Sequence, residues 1–97
     1  MKYSLKVRGE ASIEIVDAYN WYEDKKDGLG EDFLKELERT FKVLSKQPRI
    51  FQKKYKSFRS VRLGKFPFAV FYEIDGNTIV VYSVFHSSRE PLSWRAK

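Results

Sequence analysis

The chain has no cysteine and a single histidine among its 97 residues. Without thiols there are no disulfide staples and no thiolate metal ligands, and one imidazole rules out a histidine-rich zinc site. No metal and no cofactor is therefore expected. Long apolar runs are missing too. The longest, Ile79–Phe85, is broken by Tyr82 and Ser83 and falls far short of a membrane span. The first residues alternate Lys2, Lys6 and Arg8 with Tyr3, Leu5 and Val7 instead of forming a basic and then apolar leader. A soluble cytoplasmic protein with no membrane partner is the expectation. The last absence is local: from Lys53 to Lys65 there are six Lys or Arg residues and no Asp or Glu.

What is present suits one globular domain spanning 1–97. Hydrophobic residues make up 42% and charged residues 33%, enough apolar surface for a modest core and too little chain for two. The net charge of +6 is uneven: residues 1–50 carry ten basic and ten acidic residues, and residues 51–97 carry nine and three. The whole excess lies in the second half. It implies a polyanion partner there, nucleic acid or an acidic protein segment, or else a solubilising surface.

Periodicity supplies the elements. Residues 3–8 alternate apolar and polar like a half-buried strand. From Glu10 the period changes, and Ala11, Ile15, Ala18 and Tyr22 fall on one helical face. Asp24–Gly30 reads as a turn in which Gly28 and Gly30 supply backbone freedom. Phe33, Leu37, Thr40, Phe41 and Leu44 form the stripe of a second helix, which Pro48 bars from continuing. Its acidic first turn and basic end match the helix dipole. Three Val-, Phe-, Tyr- and Ile-rich segments follow, Ser60–Leu63, Phe68–Ile74 and Ile79–Phe85, the last two joined by the hairpin signal Asp75-Gly76-Asn77. The expected fold is α+β: an N-terminal strand, a helical hairpin, then a three- to four-stranded antiparallel sheet covered by helices on one face. The other face is left free for function.

Alternation assigns the candidate side chains. If Val61 and Leu63 pack under the helices, Arg62 projects from the free face. On the last strand Val80, Tyr82, Val84 and His86 share one side and Ile79, Val81, Ser83 and Phe85 the other. Both sets are apolar, so the strand is central and its exposed side stays open. Histidine is the side-chain type best suited to proton transfer near neutral pH, so His86 is either a catalytic group or a structural cap at a strand end. Arg62 has the planar fork suited to phosphate. Trp21 and Trp94 are expected as core and tail-anchoring residues.

The order of these segments resembles the RelE/ParE superfamily of small toxins from bacterial type II toxin–antitoxin systems, which include plasmid stabilisation proteins. The likeness rests on A-x-x-E-I-x-x-A-x-x-W-Y-E (Ala11–Glu23), GLG at Gly28–Gly30 and P-x-x-F at Pro48–Phe51. It extends through the arginine-bearing strand before F-P-F-A-V-F-Y-E-I (Phe66–Ile74) and V-F-H-S-S-R-E-P-x-x-W (Val84–Trp94). It implies a growth-inhibiting toxin held by a cognate antitoxin. One branch of the superfamily cleaves mRNA on the ribosome without metal; the other poisons DNA gyrase. For an endoribonuclease the resemblance implies Arg62 on the scissile phosphate and His86 as acid or base. Lys53, Lys54 and Arg89 would bind flanking phosphates, and Lys56, Arg59 and Lys65 would complete an RNA-binding face and rim. The first-helix and F-Y-E-I motifs are closer to ParE-like members. No tyrosine matches the C-terminal one with which the known nucleases stack on the substrate base, and Trp94 is the aromatic nearest that place.

Overall fold

The computed structural model describes residues 3–88. Seven elements follow in order: β1 (Ser4–Val7), α1 (Gly9–Lys25), α2 (Leu29–Lys46), β2 (Lys53–Tyr55), β3 (Phe58–Arg62), β4 (Phe68–Asp75) and β5 (Thr78–His86). All strands join one sheet in the order β1-β5-β4-β3-β2. Strands β2 to β5 are the anticipated antiparallel meander, with β2 as its fourth member. Strand β1 adds beyond β5 in parallel, Ser4 opposite Thr78 through Val7 opposite Val81, so the sheet is five-stranded and mixed.

The helices bury the stripes that their periodicity marks. Ala11, Ala18 and Tyr22 of α1 and Phe33, Leu37 and Leu44 of α2 close on Leu63, Val70, Tyr72, Ile79, Val81 and Val84 of the sheet side. Tyr22, Phe33, Phe66 and Phe68 form an aromatic knot, with edge-on contacts at 4.9 Å between Tyr22 and Phe66 and 5.3 Å between Phe33 and Phe68. Such pairs contribute about 0.5–1.5 kcal/mol each beyond area burial. Tyr72 is fully buried and donates its hydroxyl to the Pro48 carbonyl at 2.6 Å, tying the sheet to the chain that leaves α2. Trp21 departs from expectation: it is 57% exposed on the flank of α1, and Ile13 and Val16 are exposed beside it. The first helix thus carries apolar side chains on its outer surface as well as its inner one.

The turn between the helices uses its two glycines differently. Gly28 has φ +89°, a left-handed conformation that suits a residue without Cβ. Gly30 already lies inside α2, and its need is space. A Cβ there would sit 2.8 Å from the Tyr19 carbonyl oxygen and from the Glu23 carboxylate. That carboxylate accepts the N–H groups of both Gly28 and Gly30 at 2.9 Å, satisfying donors that a helix start leaves without intrahelical partners.

Candidate functional site

Side chains of β3 and β4 alternate between the helices and the open face. Val61, Leu63, Val70 and Tyr72 face the helices; Arg62 stands opposite Ala69, which stands opposite Phe85, on the other side. Arg62 is exposed there, as alternation anticipates, and its Nη2 reaches the Ser87 hydroxyl at 3.3 Å. Further along the same face Phe58 stacks on Phe71 at 4.8 Å and meets Tyr82 edge-on at 5.1 Å. The Arg8 guanidinium lies 5.0 Å from the centre of the Tyr82 ring. Glu73 accepts hydrogen bonds from the hydroxyls of Ser57 and Tyr82. Lys6 pairs with Val80 and Val80 with Glu73, which sets Lys6 on this face as well.

His86 does not join them. The β4–β5 register shifts by one residue, since Phe71 stands opposite Ser83 but Tyr72 opposite Val81, so Tyr82 is an unpaired extra residue. A bulge of this kind reverses the facing of every side chain beyond it. Before it, Val80 and Tyr82 look to the open face; after it, Val84 is in the core and His86 pairs with Phe68. The two rings meet edge-on at 5.4 Å, and Phe68 packs in turn on Tyr22 and Phe33. Simple alternation, which put Val80, Tyr82, Val84 and His86 on one side, is corrected by this bulge. His86 and Arg62 lie on opposite faces of the sheet. The Nδ1 of His86 is 2.7 Å from the Ser88 hydroxyl and accepts the Ser88 N–H at 3.3 Å.

The other basic candidates scatter. Arg59 points toward the helix side and donates to the carbonyl oxygens of Phe51 at 2.7 Å and Arg49 at 3.3 Å, which holds the segment after α2. Lys53 pairs with Arg59 and shares that side, while Lys54 falls within a register shift of the edge strand. Lys56 occupies the tip of the β2–β3 hairpin with φ +51°, its ammonium 5.4 Å from the centre of the Tyr55 ring. Lys65 is exposed in the β3–β4 loop. Arg89 and Trp94 lie outside the described residues. The six charges from Lys53 to Lys65 are therefore not one stripe, and Arg62 alone is clearly presented on the open face. Its cationic companions there are Lys6 and Arg8, which a comparison of chain halves hides in the neutral one. The alternation of Ser4, Lys6 and Arg8 with Leu5 and Val7 was their signal. Their place beside Tyr82 depends on the long-range pairing of β1 with β5.

On the helix side, a groove of about 620 Å³ opens between α1 and the end of β5. Trp21, Asp17 and Glu14 wall it from the helix, with Phe68, Val84 and His86 from the sheet. Strand β1 ends opposite Val81, so beyond it β5 keeps β4 on one edge and has no strand on the other; Glu14 fills that open edge by accepting the Val84 N–H at 2.9 Å and the Ser83 hydroxyl at 2.9 Å. Among the described residues, no three His, Asp or Glu side chains are placed to hold a metal ion, and no helix is long and apolar enough to cross a membrane.

The overall fold is shared with solved structures. The chromosomal ParDE system from P. aeruginosa contains a chain similar to this one at TM-score 0.78 and 16% identity, covering 88% of this chain and 96% of that one. The isolated E. coli RelE toxin matches at TM-score 0.65 and 19% identity, over 97% and 94%. A chain of the RelBE2 toxin–antitoxin complex from Mycobacterium tuberculosis matches at 0.61 and 20%, over 89% and 99%. At these identities the likeness speaks for the fold alone. Comparison with curated protein sequences gives no match. The family evidence comes from the sequence: residues 5–91 match the model of the ParE toxin of the type II toxin–antitoxin system, parDE. With a match over nearly its whole length and the corresponding fold, the chain belongs to the ParE toxin family of type II toxin–antitoxin systems.

Proposed function

We propose that this chain arrests growth as a stoichiometric inhibitor of DNA gyrase in the cytoplasm, without catalysis of its own, and that a cognate antitoxin binds and silences it. The separation of His86 from Arg62 by the thickness of the sheet carries this reading. Metal-independent RNA cleavage needs a base for the 2′-OH, a cation for the phosphate and an acid for the leaving oxygen, all within hydrogen-bond reach of one site. His86 faces the helices. The β4 carboxylate nearest Arg62 on the open face, Glu73, lies four residues beyond Ala69, the partner of Arg62, roughly 13 Å away at the usual strand rise. It is also engaged by Ser57 and Tyr82. A face that joins cations to aromatic rings without a convergent acid and base suits binding better than bond cleavage. The family match and the fold of the ParDE chain support the same branch.

The test is induction of variants in bacteria. His86→Gln should arrest growth as wild type does, with loss of plasmid supercoiling and intact mRNA. Arg62→Glu should weaken the arrest while the fold is kept, because it reverses charge on the binding face. Collapse of toxicity in His86→Gln, with induced mRNA fragments in wild type and folding confirmed, would overturn the proposal and restore the ribonuclease.

A further inference from the structure

We propose that the solvent face of α2 binds the phosphate backbone of duplex DNA without regard to sequence. The choice of DNA rests on the gyrase reading above; the cationic surface itself does not.

The surface begins with spacing. Lys35, Arg39, Lys42 and Lys46 recur at intervals of four, three and four, which sets them on one side of α2. Phe33, Leu37, Thr40 and Leu44 are buried on the opposite side, so the four cations look away from the sheet, and all four are exposed. From Lys35 to Lys46 the stripe runs roughly 16 Å along the helix axis. Arg49, and Lys53 on the edge strand, are exposed beyond the helix end. The chain around them is as one-sided as the stripe: from Arg39 to Tyr72 there are ten Lys or Arg residues and no Asp or Glu.

A merely solvated helix face neutralises such charges through i,i+4 partners. Glu31 and Glu38 stand four residues before Lys35 and Lys42, yet among the described residues Lys35, Lys42 and Lys46 make no ion pair. Arg39 is engaged: Glu36 accepts from its Nη1 at 3.0 Å and takes the Gly64 N–H on its other oxygen at 3.1 Å. That tie fixes the Arg39 side chain, which stays 67% exposed and keeps further N–H donors for a ligand.

Duplex phosphates fit this surface better than other polyanions. One strand of a duplex advances about 3.4 Å per phosphate, so the stripe spans about five of them. Single strands are gripped by aromatic stacking platforms, and the stripe carries no aromatic side chain. An acidic amphipathic helix needs an apolar seam at helical spacing. The exposed apolar residues nearest in sequence, Val43 on α2 and Ile50 beyond Pro48, are two isolated side chains and form no seam. The stripe also lies on the far side of the helix layer from Arg62. A toxin that meets its target enzyme through the open sheet face keeps this side for the DNA which that enzyme holds.

The test uses the purified full chain and a short fluorescent DNA duplex of mixed sequence, with binding read by anisotropy from 50 to 200 mM salt. Four phosphate contacts predict a log–log slope of about −3 to −4, unchanged for a duplex of different sequence. Lys42→Gln with Lys46→Gln should flatten the slope by about two, with an unaltered circular dichroism spectrum. Lys25→Gln with Lys26→Gln removes the same charge at the helical turn and should leave the slope as it is. Equal flattening by both pairs would reduce the stripe to unlocalised surface charge and overturn the proposal. So would absent binding at 50 mM salt, tighter binding of RNA than of duplex DNA, or binding of polyglutamate in place of DNA. The assay contains no gyrase, so its failure leaves a supercoiling result standing, and failed gyrase inhibition leaves DNA binding standing.

Discussion

Replacing Tyr72 by Phe removes one hydroxyl from the centre of the molecule and should expose how the sheet is fastened to the end of α2. Tyr72 has no exposed surface, and its 2.6 Å hydrogen bond ends on the carbonyl of Pro48, itself buried. The substitution keeps the ring and leaves that carbonyl without its partner, at a cost of about 1–3 kcal/mol. For a domain of this length each kcal/mol lowers Tm by roughly 4–8 °C. The pH dependence is sharper. Burial raises the Tyr72 pKa from 10.0 to about 12, opposed in part by the nearby Arg59 charge. A pKa raised in the folded state stabilises fully below the unfolded value and is lost as pH climbs through the folded one. Stability from Tyr72 is thus complete below pH 10 and erodes toward pH 12, by roughly 2 kcal/mol at pH 12. Denaturant unfolding followed by circular dichroism should show wild type ahead at pH 8 and the advantage shrinking or reversing by pH 12. A gap that stays constant from pH 8 to pH 12 would refute the assignment, because Phe has no proton to lose.

Other consequences follow from single residues. Lys56 adopts a left-handed conformation at the β2–β3 tip, so Lys56→Gly should stabilise by about 0.5–1 kcal/mol in urea unfolding; a loss of that size would mean that its contact with Tyr55 outweighs the backbone term. Glu14→Ala strips both the Val84 N–H and the Ser83 hydroxyl of their acceptor and should cost about 1–3 kcal/mol. Glu14→Gln, which keeps one acceptor oxygen, should lose less, and equal losses would argue that the charge itself matters.

The parts of this fold written in local periodicity were legible. The stripe of α2, the inner face of α1, the Asp75-Gly76-Asn77 hairpin and the outward aim of Arg62 each depend on residues a few positions apart. What escaped depends on distant partners. The two tandem helices conceal that β1 returns to pair with β5, and so conceal Lys6 and Arg8 beside Tyr82. The bulge at Tyr82 leaves no compositional trace, because the strand is apolar on both sides, yet it moves His86 from one face to the other. Arg59 resembles a surface cation until the carbonyls of Arg49 and Phe51 are seen to claim it. Trp21 reads from the sequence as a core residue, but its position on the flank of α1 leaves it in the wall of a groove.

The most direct measurement is made with purified components: gyrase, relaxed plasmid, ATP and graded amounts of this protein, with a messenger RNA in a parallel reaction. A non-catalytic inhibitor predicts that supercoiling falls in proportion to the protein added, identically for wild type and His86→Gln, while the RNA stays whole with or without ribosomes. Unimpaired supercoiling at molar excess, together with RNA cut by wild type and spared by His86→Gln, would contradict it.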